Sequence, residues 1–188
     1  MYFARSENES GERQLLADHL RNVGELAGKF AEEAGLPREM GEWAGWLHDL
    51  GKYSQEFQEH LRKKDDNFVE HAAHGAAVAV SAGAIECAFA VAAHHSGLGT
   101  GQTIRDLRVR DELTAGLAPG IRISARAEEF RRLAEQDAGI TGQPARTIAD
   151  RGDEAKLELR TRMLLSCVAD ADRLDAERWM SQWKSDMR

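Results

Sequence analysis

Residues Leu47-His-Asp-Leu-Gly-Lys-Tyr-Ser54 form the stretch on which the interpretation of this chain depends. Its histidine and aspartate are adjacent, and adjacent side chains on an α-helix point about 100° apart. Both can bind one ion only near a helix end, where Gly51 loosens the backbone. The carboxylate of Asp49 has two oxygens and can bridge two ions, whereas an imidazole cannot. Such a pair is common by chance, so its meaning depends on the residues around it.

Helical patterns surround this stretch. Apolar residues from Gln14 to Ala34 recur at helical spacing, and His19 falls on the same face. Gly35 ends that helix, and Pro37 suits the first turn of the next one, which we expect Gly51 to close. The sequence therefore predicts a helical hairpin that ends at the His-Asp pair.

The rest of the chain also has helical patterns, and no segment alternates β-branched with polar residues as a strand would. The 188 residues are expected to form one domain over residues 1–188 with an all-α fold. Ser81 and Glu86 interrupt the long apolar run 75–93, which favours two core helices over a membrane span. Further helices are predicted from Ser54 to the break at 63–67, at 70–81, at 84–94, at two places between the loop 96–101 and the turn 141–144, and at 153–183.

Composition limits the classes of function. The formal net charge is -7, from 32 acidic and 25 basic side chains, so a large cationic face for duplex DNA is not expected. Cys87 and Cys167 lie far apart and are interpreted as buried thiols in a reducing compartment. The first ten residues show no secretion signal, so we expect a cytoplasmic protein with no membrane partner.

Five of the seven histidines lie on or at the ends of predicted core helices. Taken singly, each would be an ordinary core or capping histidine. A buried imidazole needs partners for its ring nitrogens, however, and several converging imidazoles are most simply satisfied by a metal. Nitrogen and carboxylate ligands suit Mn, Fe, Co, Ni or Zn better than Mg. The five are His19, His48, His71, His94 and His95.

The order of these residues resembles the HD superfamily of metal-dependent phosphohydrolases. It is most similar to the HD nuclease domain of the CRISPR-associated nuclease of type I interference systems. The opening Tyr2-Phe-Ala-Arg-Ser6 and Asp18-His-Leu-Arg-Asn-Val23 are also similar, so the resemblance covers most of the chain. Besides Leu47–Ser54, it depends on His71-Ala-Ala-His-Gly-Ala76, Ala93-His-His-Ser-Gly-Leu98 and Ala169-Asp-Ala-Asp-Arg-Leu-Asp-Ala-Glu177.

The resemblance implies an HD-type helical bundle with a central site for one or two divalent metals. It implies metal-dependent cleavage of single-stranded DNA, with a CRISPR-associated helicase and surveillance complex as partners, in the same chain or in another. Mn or Ni would serve in an assay, and iron inside cells. The implied ligands are His19, His48, Asp49 and Asp172 for one metal, and Asp49, His71, His94 and His95 for the second.

Two of these ligands have rivals. Asp170 lies half a helical turn before Asp172 and competes with it as the late ligand. His74, where the family commonly has a small residue, shares a helix face with His71 and would either support or replace it. The chain also departs from the family in having Ser96-Gly97, rather than glycine directly, after the paired histidines.

Phosphodiester cleavage would explain this set of residues. Two ions roughly 3.5–4 Å apart can bind the attacking and leaving oxygens and lower the pKa of water. Asp49 and Lys52 are the candidate catalytic residues: Lys52 would neutralise a phosphate oxygen, or alternatively would only favour the dipole at a helix C-terminus. The candidates for strand binding, which are alternatively solvated surface charges, are Arg62, Lys63, Lys64, Arg105, Arg108 and Arg110.

Two other functions remain open on the sequence. One is an HD phosphohydrolase for nucleotides or cyclic dinucleotides, which would need a closed pocket with a slot for the base. The other is a docking module in which the metal serves only folding. The sequence has no Walker A motif, which favours a helicase separate from this domain.

Overall fold

A computed structural model describes residues 1–8, 11–63, 69–95, 97–98, 123–147 and 153–186, with side chains up to residue 180. Within these ranges the chain is helical, and its one extended pairing is an isolated bridge between Phe3 and Leu15. The predicted all-α fold is confirmed. The helices are α1 (Leu16–Glu33), α2 (Arg38–Leu47), a 3-10 helix (Leu50–Tyr53), α3 (Gln55–Lys63), α4 (Ala72–Ala82), α5 (Ile85–Ala93), α6 (Ile123–Ala138) and α7 (Glu154–Asp186).

The main difference from the predicted elements is the end of α2. This helix ends at Leu47 rather than at Gly51, because Asp49 has φ -110° and ψ 17° and turns the chain into the 3-10 helix. Ser54 caps α3 as predicted, accepting a hydrogen bond from the Phe57 N–H at 3.2 Å. Of the two helices predicted between 96–101 and 141–144, α6 is observed, and residues 99–122 lie outside the described residues.

The core forms where α7 packs against both α1 and α5. Helix α1 also packs along α2, and α5 along α4. Among the described residues, Leu20, Val23, Val91 and Leu164 have no solvent exposure. Burying such side chains stabilises the fold by roughly 1.5–3 kcal/mol each. The polar ends of α2 and α5 are thereby brought to one end of a rigid bundle.

Two glycines bring the His-Asp turn against α4. A Cβ added at Gly75 would lie 1.8 Å from the carbonyl oxygen of Leu47, and one added at Gly51 would lie 2.3 Å from the carbonyl oxygen of His71. Neither position has room for a side chain. The backbones therefore approach closely enough to place Asp49 beside the start of α4.

The apolar run 75–93 divides into α4 and α5 at Gly83, which has a φ of 74°. As predicted, it forms two packed helices. None of the described helices combines the length and apolarity that crossing a bilayer requires. Cys87 and Cys167 are buried free thiols.

Substituting Gly75→Ala is expected to lower the free energy of unfolding by about 2 kcal/mol, because the added methyl group overlaps the Leu47 carbonyl. Urea denaturation followed by circular dichroism measures this change. Ser81→Ala, at an exposed position of the same helix, is the matched control and should change stability by less than about 0.5 kcal/mol. Equal stability of the two variants would contradict the close approach.

Candidate metal centre

The carboxylate of Asp49 lies at the centre of a group of buried imidazoles and is only 1% exposed. Its Oδ2 is 3.1 Å from Nε2 of His19 and 3.3 Å from Nε2 of His48. Its Oδ1 faces the other way, 3.3 Å from Nε2 of His71 and 3.6 Å from Nε2 of His94. One side chain thus contacts imidazoles from α1, from the ends of α2 and α5, and from the residue before α4.

Two clusters of ligand atoms meet at this carboxylate. The first contains His19, His48 and Asp172, whose Oδ1 is 3.6 Å from Nε2 of His19 and 4.0 Å from Nε2 of His48. The second contains Asp49, His71, His94 and His95. Within each cluster the ligand atoms lie within 4.8 Å of one another. The structure therefore brings together every residue of the two implied ligand sets.

Helix ends fix the orientation of three imidazoles. His48 follows the last residue of α2 and donates its Nδ1–H to the Gly45 carbonyl at 2.6 Å. His94 follows the last residue of α5 and donates to the Val91 carbonyl at 2.7 Å, while His71 donates to the Val69 carbonyl at 3.0 Å. Because a carbonyl only accepts, each Nδ1 carries the proton and each Nε2 presents a lone pair. This tautomer is the one that binds a cation through Nε2.

His19 is oriented by a carboxylate instead. Its Nδ1 lies 2.7 Å from Oδ2 of Asp175. That oxygen also accepts a hydrogen bond from Gln14 at 2.6 Å, and Oδ1 of Asp175 accepts one from Asn22 at 2.8 Å. Burial would raise the pKa of Asp175, but the interaction with His19 and the hydrogen bonds from Asn22 and Gln14 together hold it below its usual value. A charged carboxylate behind an imidazole increases the basicity of its other nitrogen.

Asp175 is not among the ligands that the resemblance implies, although its position in the sequence carries one signal. Asp175 follows Asp172 by three residues on α7 and therefore shares its helix face. Gln14 and Asn22 gave no such signal, because their common partner lies more than 150 residues away in the sequence.

Three buried acceptor atoms of this group have no hydrogen-bond partner: Nε2 of His48, Oδ1 of Asp49 and Nε2 of His94. An unsatisfied buried polar atom costs about 1–3 kcal/mol, so three at one place need a common explanation. A divalent cation accepts lone pairs from imidazole nitrogen and carboxylate oxygen together. The residues present therefore fit a metal centre.

Protons satisfy part of the group when no cation is bound. Burial lowers the pKa of His19, but hydrogen bonds to Asp175 and Asp49 raise it above its usual value. Burial would raise the pKa of Asp49, yet its interactions with His48, Lys52 and His19 hold it well below the usual range. Asp49 is thus an anion surrounded by nitrogen atoms.

Lys52 points inward. Its Nζ lies 2.5 Å from Oδ2 of Asp49 and donates to the Ala4 carbonyl at 3.2 Å, and it lies over the ring of Phe57. Its side chain is 9% exposed, which does not match a solvated lysine at a helix C-terminus. The ammonium group therefore neutralises the carboxylate that lies between the two clusters.

The two rival ligands lie outside the clusters. The ring of His74 packs against Phe130 of α6, at 5.0 Å between ring centroids, and burial lowers its pKa to about 4. Asp170 is exposed on α7, whereas Asp172 faces His19 and His48. The structure thus brings His71 and Asp172 into the clusters rather than His74 and Asp170.

The proposed strand-binding residues are only partly described. Arg62 and Lys63 are exposed at the end of α3, and Lys63 lies 3.7 Å from Glu59. Lys64, Arg105, Arg108 and Arg110 lie outside the described residues. Another cation does reach the centre: Arg5 lies 2.8 Å from Oδ1 of Asp172, a contact that no local sequence pattern indicates.

Comparison with known proteins agrees with this arrangement. The chain is 30% identical over 122 residues to Ribonuclease Y of Lactobacillus helveticus (strain DPC 4571). That alignment covers 65% of this chain but 21% of the relative, so the match spans about a fifth of the curated protein. The family model for the HD domain matches residues 16–177, a range that contains both clusters and Asp175. The chain therefore belongs to the HD domain family, a superfamily of metal-dependent phosphohydrolases.

Proposed function

We propose that this protein is a metal-dependent nuclease that hydrolyses phosphodiester bonds of single-stranded DNA in CRISPR interference, together with a helicase and a surveillance complex. The observation that carries the proposal is the placement of the Asp49 carboxylate between two ligand clusters. Its Oδ2 faces the imidazoles of the first cluster, and its Oδ1 faces those of the second. A carboxylate shared in this way suits two adjacent cations, the arrangement used for in-line displacement at phosphate.

Each cluster would hold one cation through imidazole nitrogen and carboxylate oxygen. The first would use His19, His48, Asp49 and Asp172, and the second Asp49, His71, His94 and His95. This donor set favours Mn, Fe, Co, Ni or Zn over Mg. Bound cations would neutralise charge on the scissile phosphate and lower the pKa of water beside it.

The chain's own residues hold this machinery in place. The Nδ1–H donors fix three imidazole rings against carbonyls, and Asp175 fixes the ring of His19. Such pre-organisation reduces the rearrangement needed when substrate binds. Lys52 keeps Asp49 charged and leaves its second oxygen to the other cluster.

A polymeric substrate is supported by the exposure of the centre at one edge. Asp172 and Arg5 are partly exposed, and His95 is exposed beside the second cluster. The net charge of -7 disfavours non-specific binding of duplex DNA. The similarity to a ribonuclease favours single-stranded RNA as the second candidate substrate.

The proposal is tested with circular single-stranded DNA and circular RNA, incubated with metal-stripped protein and then with Mn, Ni, Co, Zn or Mg in turn. We expect linear DNA from the wild-type protein and none from Asp49→Ala, which should also lose bound metal. Asp170→Ala, which removes an exposed carboxylate, is the matched control and should remain active. Cleavage of RNA but not of DNA would show that single-stranded RNA is the substrate. Metal binding without cleavage of either would favour nucleotides as substrates or a docking role.

Asp175→Asn is expected to weaken Mn²⁺ or Co²⁺ binding by roughly 10–100-fold, because it removes the charge behind His19. Isothermal titration calorimetry measures the affinity. Asp170→Asn on the same helix should bind as the wild type does. Equal affinities for the two variants would show that Asp175 supports the fold and not the ligand.

Lys52→Met keeps the length of the buried side chain and removes its charge. We expect the cleavage rate to fall by roughly 10²-fold while the bound metal remains, because Lys52 neutralises the carboxylate of Asp49 at the centre of the site. Metal analysis and single-turnover rates separate the two effects. Loss of metal from a folded variant would show instead that Lys52 builds the site.

A further inference from the structure

The N-terminal segment 2–6 is fixed against the metal centre by backbone hydrogen bonds. The Ala4 N–H donates to the Gln14 carbonyl, and the Leu16 N–H donates to the Tyr2 carbonyl, both at 2.9 Å. Gln58 accepts from the Phe3 N–H and donates to the Phe3 carbonyl, both at 3.0 Å. The segment therefore holds its side chains at defined places beside the clusters.

Arg5 is the side chain that this segment presents to the first cluster. One guanidinium nitrogen lies 2.8 Å from Oδ1 of Asp172, and Nε donates to Gln14 at 3.2 Å. The same Oδ1 faces Nε2 of His19 and of His48. Arg5 therefore contacts the same Asp172 oxygen that faces the two imidazoles of the first cluster.

At this oxygen of Asp172, the guanidinium group of Arg5 and a cation in the first cluster would lie close together. A cation held by His19, His48 and Asp172 would lie close to the guanidinium group, and like charges at such distances repel. An anion at the exposed edge would relieve the repulsion. Arg5 is 32% exposed, whereas Lys52 is buried, so Arg5 is the cation that can face both the cluster and an arriving ligand.

We propose that Arg5 binds a phosphate group of the substrate strand and exchanges Asp172 for that phosphate when a cation occupies the first cluster. This inference rests on the proposed nuclease function. The planar guanidinium group matches phosphate oxygens with paired N–H donors. By linkage, Arg5 weakens cation binding without substrate and strengthens the binding of substrate and cation together.

The test compares Arg5→Gln with Arg13→Gln. Arg13 is the matched control, because it also pairs with a carboxylate, Glu7 at 2.5 Å, and lies over the ring of Phe3 in the same region. Calorimetry gives the Mn²⁺ affinity without nucleic acid. Fluorescence anisotropy gives the affinity for a labelled thymidine 12-mer with phosphorothioate linkages, with Mn²⁺ and with EDTA.

Arg5→Gln should bind Mn²⁺ several-fold more tightly than the wild type, and the 12-mer about tenfold more weakly when Mn²⁺ is present. The slope of log affinity against log salt should fall by about 0.7, the value for one phosphate contact on a single strand. With EDTA, wild type and variant should bind the 12-mer equally, because Asp172 then holds Arg5. Arg13→Gln should match the wild type throughout.

Weaker Mn²⁺ binding by Arg5→Gln would overturn the proposal, because it would show that Arg5 only positions Asp172. Unchanged 12-mer affinity in Mn²⁺ would overturn it as well. Inorganic phosphate, titrated into the Mn²⁺-loaded proteins, separates this inference from the nuclease proposal. If the wild type binds phosphate but not the 12-mer, and Arg5→Gln binds neither, then Arg5 binds phosphate and the single strand is the wrong substrate. If both proteins bind phosphate with equal affinity, the proposed role of Arg5 is overturned.

Discussion

The rest of the site depends on one buried negative charge, the carboxylate of Asp49. Burying an unpaired carboxylate is costly, so the surrounding elements must supply partners for both oxygens. Lys52 and two imidazoles lie at Oδ2, and two further imidazoles lie at Oδ1. Helices distant in sequence are therefore tied to one another at this side chain. An arrangement that costs folding energy in this way is typical of a functional centre.

Backbone carbonyls at the ends of helices orient two of the imidazoles. The last carbonyls of a helix have no partner within the helix, and a histidine placed just after the end can donate to one of them. His48 does so at the end of α2, and His94 at the end of α5. In each case one hydrogen bond satisfies a carbonyl and turns Nε2 towards Asp49. The same local device, used twice, builds opposite sides of the centre.

Charge is organised locally against a negative background. The whole chain carries a formal net charge of -7, yet the two carboxylates that face the clusters, Asp49 and Asp172, each contact a cationic side chain. Lys52 is buried and committed to Asp49, whereas Arg5 remains partly exposed. Cations bound at the clusters would add positive charge to this end of the bundle. A polyanion would therefore be drawn to this edge and not to the surface as a whole.

The sequence predicted the helices well, because helical periodicity and capping are local properties. It also identified the residue types of the centre, since histidine and aspartate placed at helix ends carry a chemical meaning wherever they occur. The predicted end of α2 at Gly51 is wrong, because the helix ends at Leu47; the absence of a side chain at Gly51 instead lets His71 approach. That role depends on a neighbouring helix and is not visible in the local pattern.

The choice between neighbouring candidates required the tertiary structure. His71 and His74 have the same side chain and helical spacing in the sequence. In the structure His71 precedes α4 and contacts Asp49, whereas His74 packs against Phe130. The partners of His19 and Asp172, namely Asp175 and Arg5, lie more than 150 residues from them in the chain. The sequence by itself therefore determined which elements form and which atoms can bind a metal. The packing of α1 and the N-terminal segment against α7 decided which of those atoms meet. Contact between residues distant in the sequence depends on how the helices pack, and no local pattern shows it.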